Sequence, residues 1–331
     1  MKKVINFGIL GCGGIADFHA DAIGTIENAE LIGAADNMIE YATKFAEKRN
    51  IKAYQSYEEM LADENIDAVC ICTPSGFHAE NAIAALNAKK HVVLEKPMAI
   101  SSEDGKRIIE VCQKSGCVLT IISQIRFSED IRRVKELVSE NAFGKIVFAD
   151  LYMKYWRSPE YYSSSNWKGT KKFDGGGALM NQGIHGIDIL LYIMGDAKVI
   201  ASRTKTAHHN IEVEDLAIAM LEFESGAVGT IEGSTCAYPG FEKKIEIMGT
   251  EGCAILVENK LDKLIVKGET LIENGAAGAL NTASDPLAMS SELHALQIQN
   301  FVNTIYGEES IFVDCYDGLK AVNLIEEIYK N

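Results

Sequence analysis

The stretch HVVLEKPM at residues 91–98 carries Glu95, Lys96 and Pro97 directly after a run of apolar residues typical of a buried strand. A proline at this point prevents the strand from continuing. A lysine that is partly desolvated and close to another cation has a lowered pKa, so Lys96 could hold or exchange a hydroxyl proton near neutral pH. The alternative is that Lys96 only forms an ion pair with Glu95 at the end of the strand.

A second polar segment, TPSGFH, follows the apolar run DAVCIC and contains Thr73, Pro74 and His78. The carboxyl ends of parallel strands meet at one edge of a sheet, and ligands of open α/β sheets bind outside that edge. We therefore expect these residues to lie near Glu95 and Lys96. For His78, a place in a surface loop is an alternative to a role in chemistry.

The segment from Gly175 to Gly195 reads GGGALMNQGIHGIDILLYIMG and predicts a helix with two faces. The polar residues Asn181, His185 and Asp188 are spaced four and three apart, next to an apolar stripe. This stripe consists of Met180, Ile184, Ile187, Leu191 and Met194. His185 is either an acid-base group or a satisfied core histidine. Because asparagine, histidine and aspartate are a poor ligand set, we expect no metal.

A glycine-rich turn near the amino terminus indicates which ligand binds at the carboxyl ends of the predicted parallel strands. In GILGCGGIADFHADAI the pattern GxGxxG/A is filled by Gly11, Gly13 and Ala16. The first glycine makes a tight turn, the second admits a pyrophosphate, and the alanine permits close helix packing. The phosphates are expected at the start of the next helix, at Gly14 and Ile15.

An acidic residue at the end of the next apolar run completes a dinucleotide-binding pattern. Asp36 follows ELIGAA, 20 residues after Ala16. A carboxylate here accepts hydrogen bonds from the adenosine ribose and repels a 2'-phosphate. The sequence therefore predicts NAD as the cofactor in preference to NADP, with the nicotinamide near Lys96.

The chain up to about residue 124 alternates short apolar runs with helical segments, which predicts a parallel sheet covered on both faces. Predicted strands are VINFGIL, ELIGAA, DAVCIC, HVVLE and CVLTII. Two helices begin with capping-box patterns, Ser56 with Glu59 and Ser101 with Asp104, and the second can end at Gly116. We assign residues 1–124 to a Rossmann NAD-binding domain.

Residues 125–331 are assigned to a second, α+β domain for substrate binding and oligomerisation, with a large open and mostly antiparallel sheet. Gly226 supplies the turn of a predicted hairpin. The glycine-rich segment 274–285 is predicted to be a mobile loop, and two terminal helices follow it. The predicted strands are KIVFADLYMKY, AKVIASRTKT, EDLAIAMLEF, GAVGTIEGST, EKKIEIMG, CAILVE and DKLIVK.

Composition narrows the possible partners. The 331 residues include 47% hydrophobic and 24% charged residues, values typical of a globular enzyme. The formal net charge of -15, from 32 basic and 47 acidic residues, argues against a nucleic-acid partner, since phosphate binding needs a basic face. A small-molecule substrate is the better expectation.

Cysteine usage and the amino terminus concern the cellular compartment. The eight cysteines lack zinc-site spacing, and Cys70 and Cys72 are expected to be buried thiols of a reducing cytoplasm. The start MKKVINFGILGCGG imitates a signal sequence, but Asn6 and Gly8 interrupt its apolar segment. Because the sequence contains no apolar run long enough for a membrane helix, we expect a cytoplasmic protein.

Taken together, the glycine turn, Asp36, CTPxxxH, EKP and GGGALMNQGIHxID resemble the Gfo/Idh/MocA oxidoreductases, over nearly the whole chain and in the family's order. The resemblance implies that Lys96 contacts the reacting hydroxyl and that His185 serves as acid or base. It also implies that the open sheet forms dimer or tetramer contacts.

One position departs from the family pattern. Inositol-dehydrogenase-like members have an aspartate four residues before the histidine, whereas this chain has Asn181, which can orient substrate or imidazole but cannot stabilise imidazolium by charge. Lys96 is therefore the stronger candidate for the proton carrier. The stretch from Lys154 to Gly177 is also similar to the family, and its Arg157, Tyr161, Tyr162 and Trp167 can line a sugar pocket or pack in the core or surface.

The sequence thus predicts an NAD-dependent dehydrogenase of a sugar, an inositol-like polyol or a sugar derivative. The resemblance leaves two alternatives. One is an NAD-dependent glycosidase, which oxidises its substrate transiently and shows no net NADH production. The other is a regulator that binds the dinucleotide without catalysis.

Overall fold

The structure is a computed structural model that describes residues 3–274 and 291–331. Its α-helices are α1 (Gly14–Ile23), α2 (Ile39–Arg49), α3 (Tyr57–Ala62), α4 (His78–Asn87), α5 (Ser102–Ser115), α6 (Glu129–Ser139), α7 (Pro159–Ser163), α8 (Ile184–Met194), α9 (Glu292–Ile305) and α10 (Cys315–Lys330). Short 3-10 helices cover Ser75–Phe77 and Gln124–Phe127, and a π-helix covers Ala178–Gly183.

The strands form two separate sheets. Those of the first are β1 (Ile5–Leu10), β2 (Ala29–Ala35), β3 (Lys52–Ala53), β4 (Ala68–Ile71), β5 (His91–Leu94) and β6 (Leu119–Ile121). Those of the second are β7 (Ile146–Lys154), β8 (Ala197–Lys205), β9 (Leu216–Phe223), β10 (Val228–Ser234), β11 (Lys244–Gly249), β12 (Gly252–Val257), β13 (Lys260–Val266) and β14 (Glu269–Glu273).

The chain divides into two compact units, and the first is discontinuous in sequence. Within the described residues, the first unit contains 3–124 and 291–319, and the second contains 125–274 and 320–331. The sequence-based boundaries placed everything after residue 124 in the second domain. The structure differs because α9 packs on the core of the first unit, where its Phe301 ring lies 6.1 Å from that of Phe7.

The first unit confirms the predicted Rossmann arrangement. Its sheet is parallel throughout and has the order β3-β2-β1-β4-β5-β6. All five predicted strands are present. The sequence reading missed β3, which is only two residues long. Every residue of β4 is buried, as is typical of a parallel strand with both faces covered.

The predicted helix ends of this unit are confirmed by their hydrogen bonds. The Ser56 hydroxyl accepts the backbone N–H of Glu59, and the Ser101 hydroxyl accepts that of Asp104. Gly116 ends α5 with a φ of 73°, in the left-handed region that favours glycine. Local side-chain chemistry therefore fixes where α3 and α5 begin and where α5 ends.

The second unit confirms the predicted open sheet. Its order is β14-β13-β12-β11-β7-β10-β9-β8, and all neighbours are antiparallel except the parallel pair of β7 and β10. Gly226 makes the predicted hairpin turn with a φ of 82°. The sequence reading missed β14. The predicted loop at 274–285 lies outside the described residues except for Asn274.

The two faces of this sheet differ in their cover. Alternate residues of β9, among them Ala217, Ala219 and Leu221, are buried in the core of the unit, whereas Ile218 and Met220 are exposed. The predicted apolar stripe of α8 and the π-helix lies in the same core. One face is therefore covered and the other is open. Among the described residues, no helix combines the length and apolar character required to cross a bilayer.

Candidate active site

The glycine turn between β1 and α1 has the geometry that its sequence predicts. Gly11 has a φ of +90°, and a Cβ placed on it would lie 2.8 Å from the backbone of Cys72, so only glycine fits. A Cβ on Gly13 would meet no atom within 4 Å, which leaves this side of the turn open for a group to approach. Ala16 is fully buried against the sheet. Gly14 and Ile15 open α1.

Asp36 lies directly after β2 and is anchored to this turn. Its Oδ2 accepts the Cys12 N–H at 2.8 Å, and its Oδ1 accepts the Met38 N–H at 2.9 Å. Burial and the nearby Asp36 charge raise the pKa of the Cys12 thiol to about 12, so this thiol stays protonated at neutral pH. The carboxylate is thus held in a fixed place beside the glycine turn.

His78 links the segments that follow β4 and β5. Its Nδ1 lies 2.6 Å from the Pro97 carbonyl oxygen and its Nε2 lies 2.8 Å from that of Thr73. The ring is buried, so the interpretation of His78 as a surface-loop histidine is wrong. Thr73 on one side and Pro97 on the other are therefore joined through one imidazole.

Glu95 is a buried carboxylate immediately after β5. Its Oε1 lies 2.7 Å from His19 Nε2, and its Oε2 accepts the backbone N–H of Lys96 at 3.1 Å. Burial alone would raise the pKa of Glu95, but the hydrogen bond and charge of His19 lower it to about 2. The carboxylate is therefore ionised, and it holds the backbone of Lys96 while it pairs with His19.

The sequence analysis missed His19 and His294, which lie beside Glu95. Their ring centroids are 5.6 Å apart. Each histidine lies in line with the buried, mostly apolar residues of its helix. A polar residue within such an apolar stripe was the signal that the sequence offered. Burial and the charge of His19 lower the pKa of His294 to about 4, which leaves this ring neutral.

In the second unit, the predicted catalytic helix is not one continuous α-helix. Asn181 lies in the π-helical segment, and His185 is the second residue of α8. Such π-helical turns are rare and occur frequently at functional sites. The four residues that separate Asn181 from His185 therefore begin in a π-helical turn and end in an α-helix.

The glycine run before this segment permits a close contact with Glu214. A Cβ on Gly177 would lie 1.9 Å from the Glu214 carbonyl oxygen, and one on Gly176 would clash with the Tyr329 hydroxyl. The Glu214 carboxylate accepts the N–H groups of Gly177 and Leu179 at 3.0 and 2.9 Å. Glu214 thus caps the π-helical segment and fixes its start.

The polar face predicted for this helix is divided between two roles. Asp188 is buried and forms two hydrogen bonds with the Arg126 guanidinium, at 2.6 and 2.9 Å, so it belongs to a structural ion pair. His185 is half-buried. The Asn181 side-chain amide donates to Asp174 Oδ1 at 2.5 Å. Asp174 was missed by the sequence analysis, although it directly precedes the glycine run.

The predicted sugar-pocket residues of this unit differ in their surroundings. Arg157 Nε donates to Gln182 Oε1 at 3.0 Å, and the Gln182 amide donates to the Tyr161 hydroxyl at 2.9 Å and to Asn181 Oδ1 at 3.2 Å. These side chains form one hydrogen-bonded network with Asp174. Tyr162, in contrast, is buried and packs on His209. Trp167 is half-buried.

The structure therefore presents a Rossmann unit with a polar strand edge and a second α/β unit with a polar network around Asn181. Residues 5–123 match the family described as "Oxidoreductase family, NAD-binding Rossmann fold", and residues 131–255 match the "GFO/IDH/MocA C-terminal domain". The chain belongs to the Gfo/Idh/MocA family, which includes NAD-dependent sugar and polyol dehydrogenases.

Individual relatives support this assignment. A myo-inositol 2-dehydrogenase of Thermotoga maritima is 30% identical over 79% of this chain and 78% of its own length. A D-glucoside 3-dehydrogenase of Escherichia coli is 25% identical over 98% and 94%. The crystal structure of the WlbA dehydrogenase from Bordetella pertussis, in complex with NADH and UDP-GlcNAcA, has a TM-score of 0.89 at 31% identity and covers 99% of this chain and 96% of its own.

The ion pair of Asp188 and Arg126 predicts a stability effect. Asp188→Asn removes the carboxylate that pairs with the buried Arg126 guanidinium and should lower the free energy of unfolding by about 3 to 5 kcal/mol. Urea denaturation followed by circular dichroism measures this change. Glu110→Gln, which removes one partner of an exposed pair with Lys114, should leave the unfolding midpoint essentially unchanged. A loss in Asp188→Asn no larger than in this control would contradict the structural role.

Proposed function

We propose that the protein is an NAD-dependent dehydrogenase of a sugar, polyol or sugar derivative. The observation that carries this proposal is the position of Lys96, whose backbone Glu95 fixes at the carboxyl end of β5. That edge is where open α/β sheets bind their ligands. The membership in a family that contains inositol and glucoside dehydrogenases supports the same conclusion.

The residues of the first unit fit a bound dinucleotide. Gly11, Gly13, Gly14 and Ile15 form a turn that is open at Gly13 and leads into α1, as pyrophosphate binding requires. Asp36 is anchored beside the turn, where it can accept hydrogen bonds from the ribose. We also assign Thr73, Pro74, His78 and Glu95 to the nicotinamide end. These residues would hold NAD, which would supply the hydride acceptor for oxidation of the substrate carbinol carbon or, in the reduced form, the hydride donor.

Lys96 and His185 are assigned to the proton of the reacting hydroxyl. A neutral Lys96 amine accepts this proton during oxidation and returns it during reduction. His185 is the second acid-base group, and Arg157 and Trp167 contribute to sugar binding. Asn181 orients the substrate or the imidazole. Its donated hydrogen bond to Asp174 supports this role, because that contact fixes which way the amide points.

The relatives favour net oxidation over the two alternatives. The named proteins above are dehydrogenases, which gives the transient-oxidation glycosidase and the non-catalytic regulator less support. Their names specify an inositol and a glucoside as substrates, and the crystal complex contains UDP-GlcNAcA. The substrate class of this chain is accordingly a polyol, a sugar or a sugar derivative. A screen of such compounds with NAD, followed at the absorbance of NADH, tests the proposal, and release of sugar without net NADH would favour a glycosidase.

The role of Lys96 predicts a loss of turnover. Lys96→Met removes the proton carrier, and kcat should fall by about 10² to 10⁴ because general acid-base groups contribute factors of this size. NADH binding, measured by fluorescence titration, should survive. Lys106→Met, at an exposed position of α5, is the matched control and should retain wild-type kcat. An unchanged kcat in Lys96→Met would remove Lys96 from the mechanism.

The role of Asp36 predicts a change in cofactor preference. Asp36→Ala removes an acceptor for the ribose hydroxyls and the charge that repels a 2'-phosphate, so NADH affinity should fall by about tenfold. The ratio of kcat/KM for NADH over NADPH, measured by steady-state kinetics, should fall with it. A wild-type enzyme that prefers NADPH, or a variant whose preference is unchanged, would show that Asp36 does not select the cofactor.

We propose that copies of this chain associate as a homodimer or homotetramer through the open face of the second sheet. Phe148, Ile218, Met220 and Val228 expose between 44% and 54% of their surface on three adjacent strands. Contiguous exposed apolar residues of this kind mark interaction surfaces. All eight cysteines are free thiols, which supports our proposal that the protein acts in the reducing cytoplasm.

The proposed association predicts a mass change. The protein should sediment as a dimer or tetramer, and Met220→Lys should shift it toward the monomer because a charge would be buried in the interface. Met38→Lys changes an equally exposed methionine of the first unit and should leave the mass unchanged. Sedimentation velocity distinguishes these results. A wild-type monomer, or a variant that still associates fully, would contradict this interface.

A further inference from the structure

Three ionisable side chains form a buried cluster behind the carboxyl end of β5. They are His19 from α1, Glu95 after β5 and His294 from α9, with one ligand-type atom of each within 4.8 Å of the others. Their relative exposures are 0%, 5% and 1%. Ionisable groups are rarely buried so deeply without a partner, and the proposed reaction does not itself use either histidine.

Glu95 connects this cluster to the catalytic lysine. One carboxylate oxygen lies 2.7 Å from His19 Nε2, and the other accepts the Lys96 N–H at 3.1 Å. The Glu95 carboxylate therefore contacts both the His19 ring and the Lys96 backbone, so a change in the charge or position of the ring can alter the position of Lys96. The Lys96 charge also acts on Glu95, because it helps to lower the pKa of the carboxyl.

The charges of the pair follow from its neighbours. Burial opposes protonation of His19, but Cys72, Cys70 and Glu95 hold the pKa of the ring well above its usual value. Because burial raises the pKa of the Cys72 thiol to about 11, this group is neutral at pH 7. The charged group in contact with the His19 ring is therefore the Glu95 carboxylate, whose Oε1 lies 2.7 Å from Nε2. The titratable groups that face the pair are Cys70 in β4, Cys72 directly after it, His78 from α4, Lys96 after β5 and His294 from α9.

A metal ion is the competing explanation for this cluster, since two histidines and a glutamate are a known zinc ligand set. His19 and Glu95, however, already form a short hydrogen bond. A divalent ion held by one carboxylate and two neutral imidazoles would leave a net positive charge in an apolar core, whereas an imidazolium paired with a carboxylate is neutral overall. The observations therefore favour a proton between His19 and Glu95.

We propose that the ion pair of His19 and Glu95 is a positioning element for Lys96, in which the imidazolium cancels the charge of the carboxylate that fixes the lysine backbone. This inference rests on the proposed function of Lys96. Neither His19 nor Glu95 acts on the substrate hydroxyl. Without the imidazolium, the remaining carboxylate charge would raise the pH at which Lys96 loses its proton. Activity would therefore begin at a higher pH.

The pH profile of the oxidation tests this inference. In His19→Gln the rising limb of kcat/KM should move up by about one pH unit, the size of shift that a nearby unbalanced charge produces. The rate at the high-pH plateau should be largely retained. His91→Gln makes the same change at a half-buried histidine outside the cluster, and its rising limb should stay in place.

A double variant separates charge from packing. His19→Gln combined with Glu95→Gln removes both charges, so its rising limb should return toward that of the wild type even if its thermal stability is low. A limb that does not move in the single variant, or that stays displaced in the double variant, would overturn the inference. Stoichiometric metal in the purified protein, measured by mass spectrometry, would overturn it as well.

A measurement that needs no substrate keeps this inference distinct from the proposed function. In NMR spectra of the ring nitrogens, His19 should still carry both protons when the pH is raised above the ordinary pKa of histidine, while His294 stays neutral. The His19 signals are assigned by their loss in His19→Gln. A neutral His19 at this pH would overturn the inference. If His19 is protonated but no sugar or polyol is oxidised, the pair is supported and the proposed function fails.

Discussion

The ionised carboxylate of Glu95, buried at the end of β5, is the constraint on which the rest of the site depends. A buried charge is costly unless it is paired and hydrogen-bonded, and here His19 and the Lys96 N–H provide those partners. His19 is available only because α1 packs closely on the sheet. That packing requires glycine at position 11 and a small residue at Ala16. The glycine turn that suits a pyrophosphate therefore also places His19, which pairs with the carboxylate that holds the Lys96 backbone.

The second unit fixes its polar residues by the same means. The Glu214 carboxylate is buried, and its hydrogen bonds to Gly177 and Leu179 determine where the π-helical segment begins. Asp174 then fixes the amide of Asn181. Asn181 is thus itself bonded to an aspartate seven residues earlier. A negative charge consequently remains one hydrogen bond away from the position that the amide occupies.

Much of this arrangement could be predicted from local patterns. Apolar runs and turn residues gave the parallel strands, the open sheet and the capped helices, because those features depend on neighbours in sequence. Contacts between distant residues could not be predicted in this way. The pairing of His19 with Glu95 and the return of α9 to the first unit both depend on packing partners that periodicity does not encode. Helical spacing likewise did not distinguish a π-helical turn from an α-helix at Asn181, and β3 was too short to recognise.

A crystal structure of the protein with NAD and an oxidisable sugar or polyol tests the central claim most directly. The account predicts that Lys96 Nζ lies about 2.6 to 3.2 Å from the hydroxyl oxygen on the carbon that faces the nicotinamide ring. It also predicts that Glu95 remains bonded to both His19 and the Lys96 N–H. A complex in which Lys96 points away from that oxygen, or in which Glu95 has released either partner, would contradict the account.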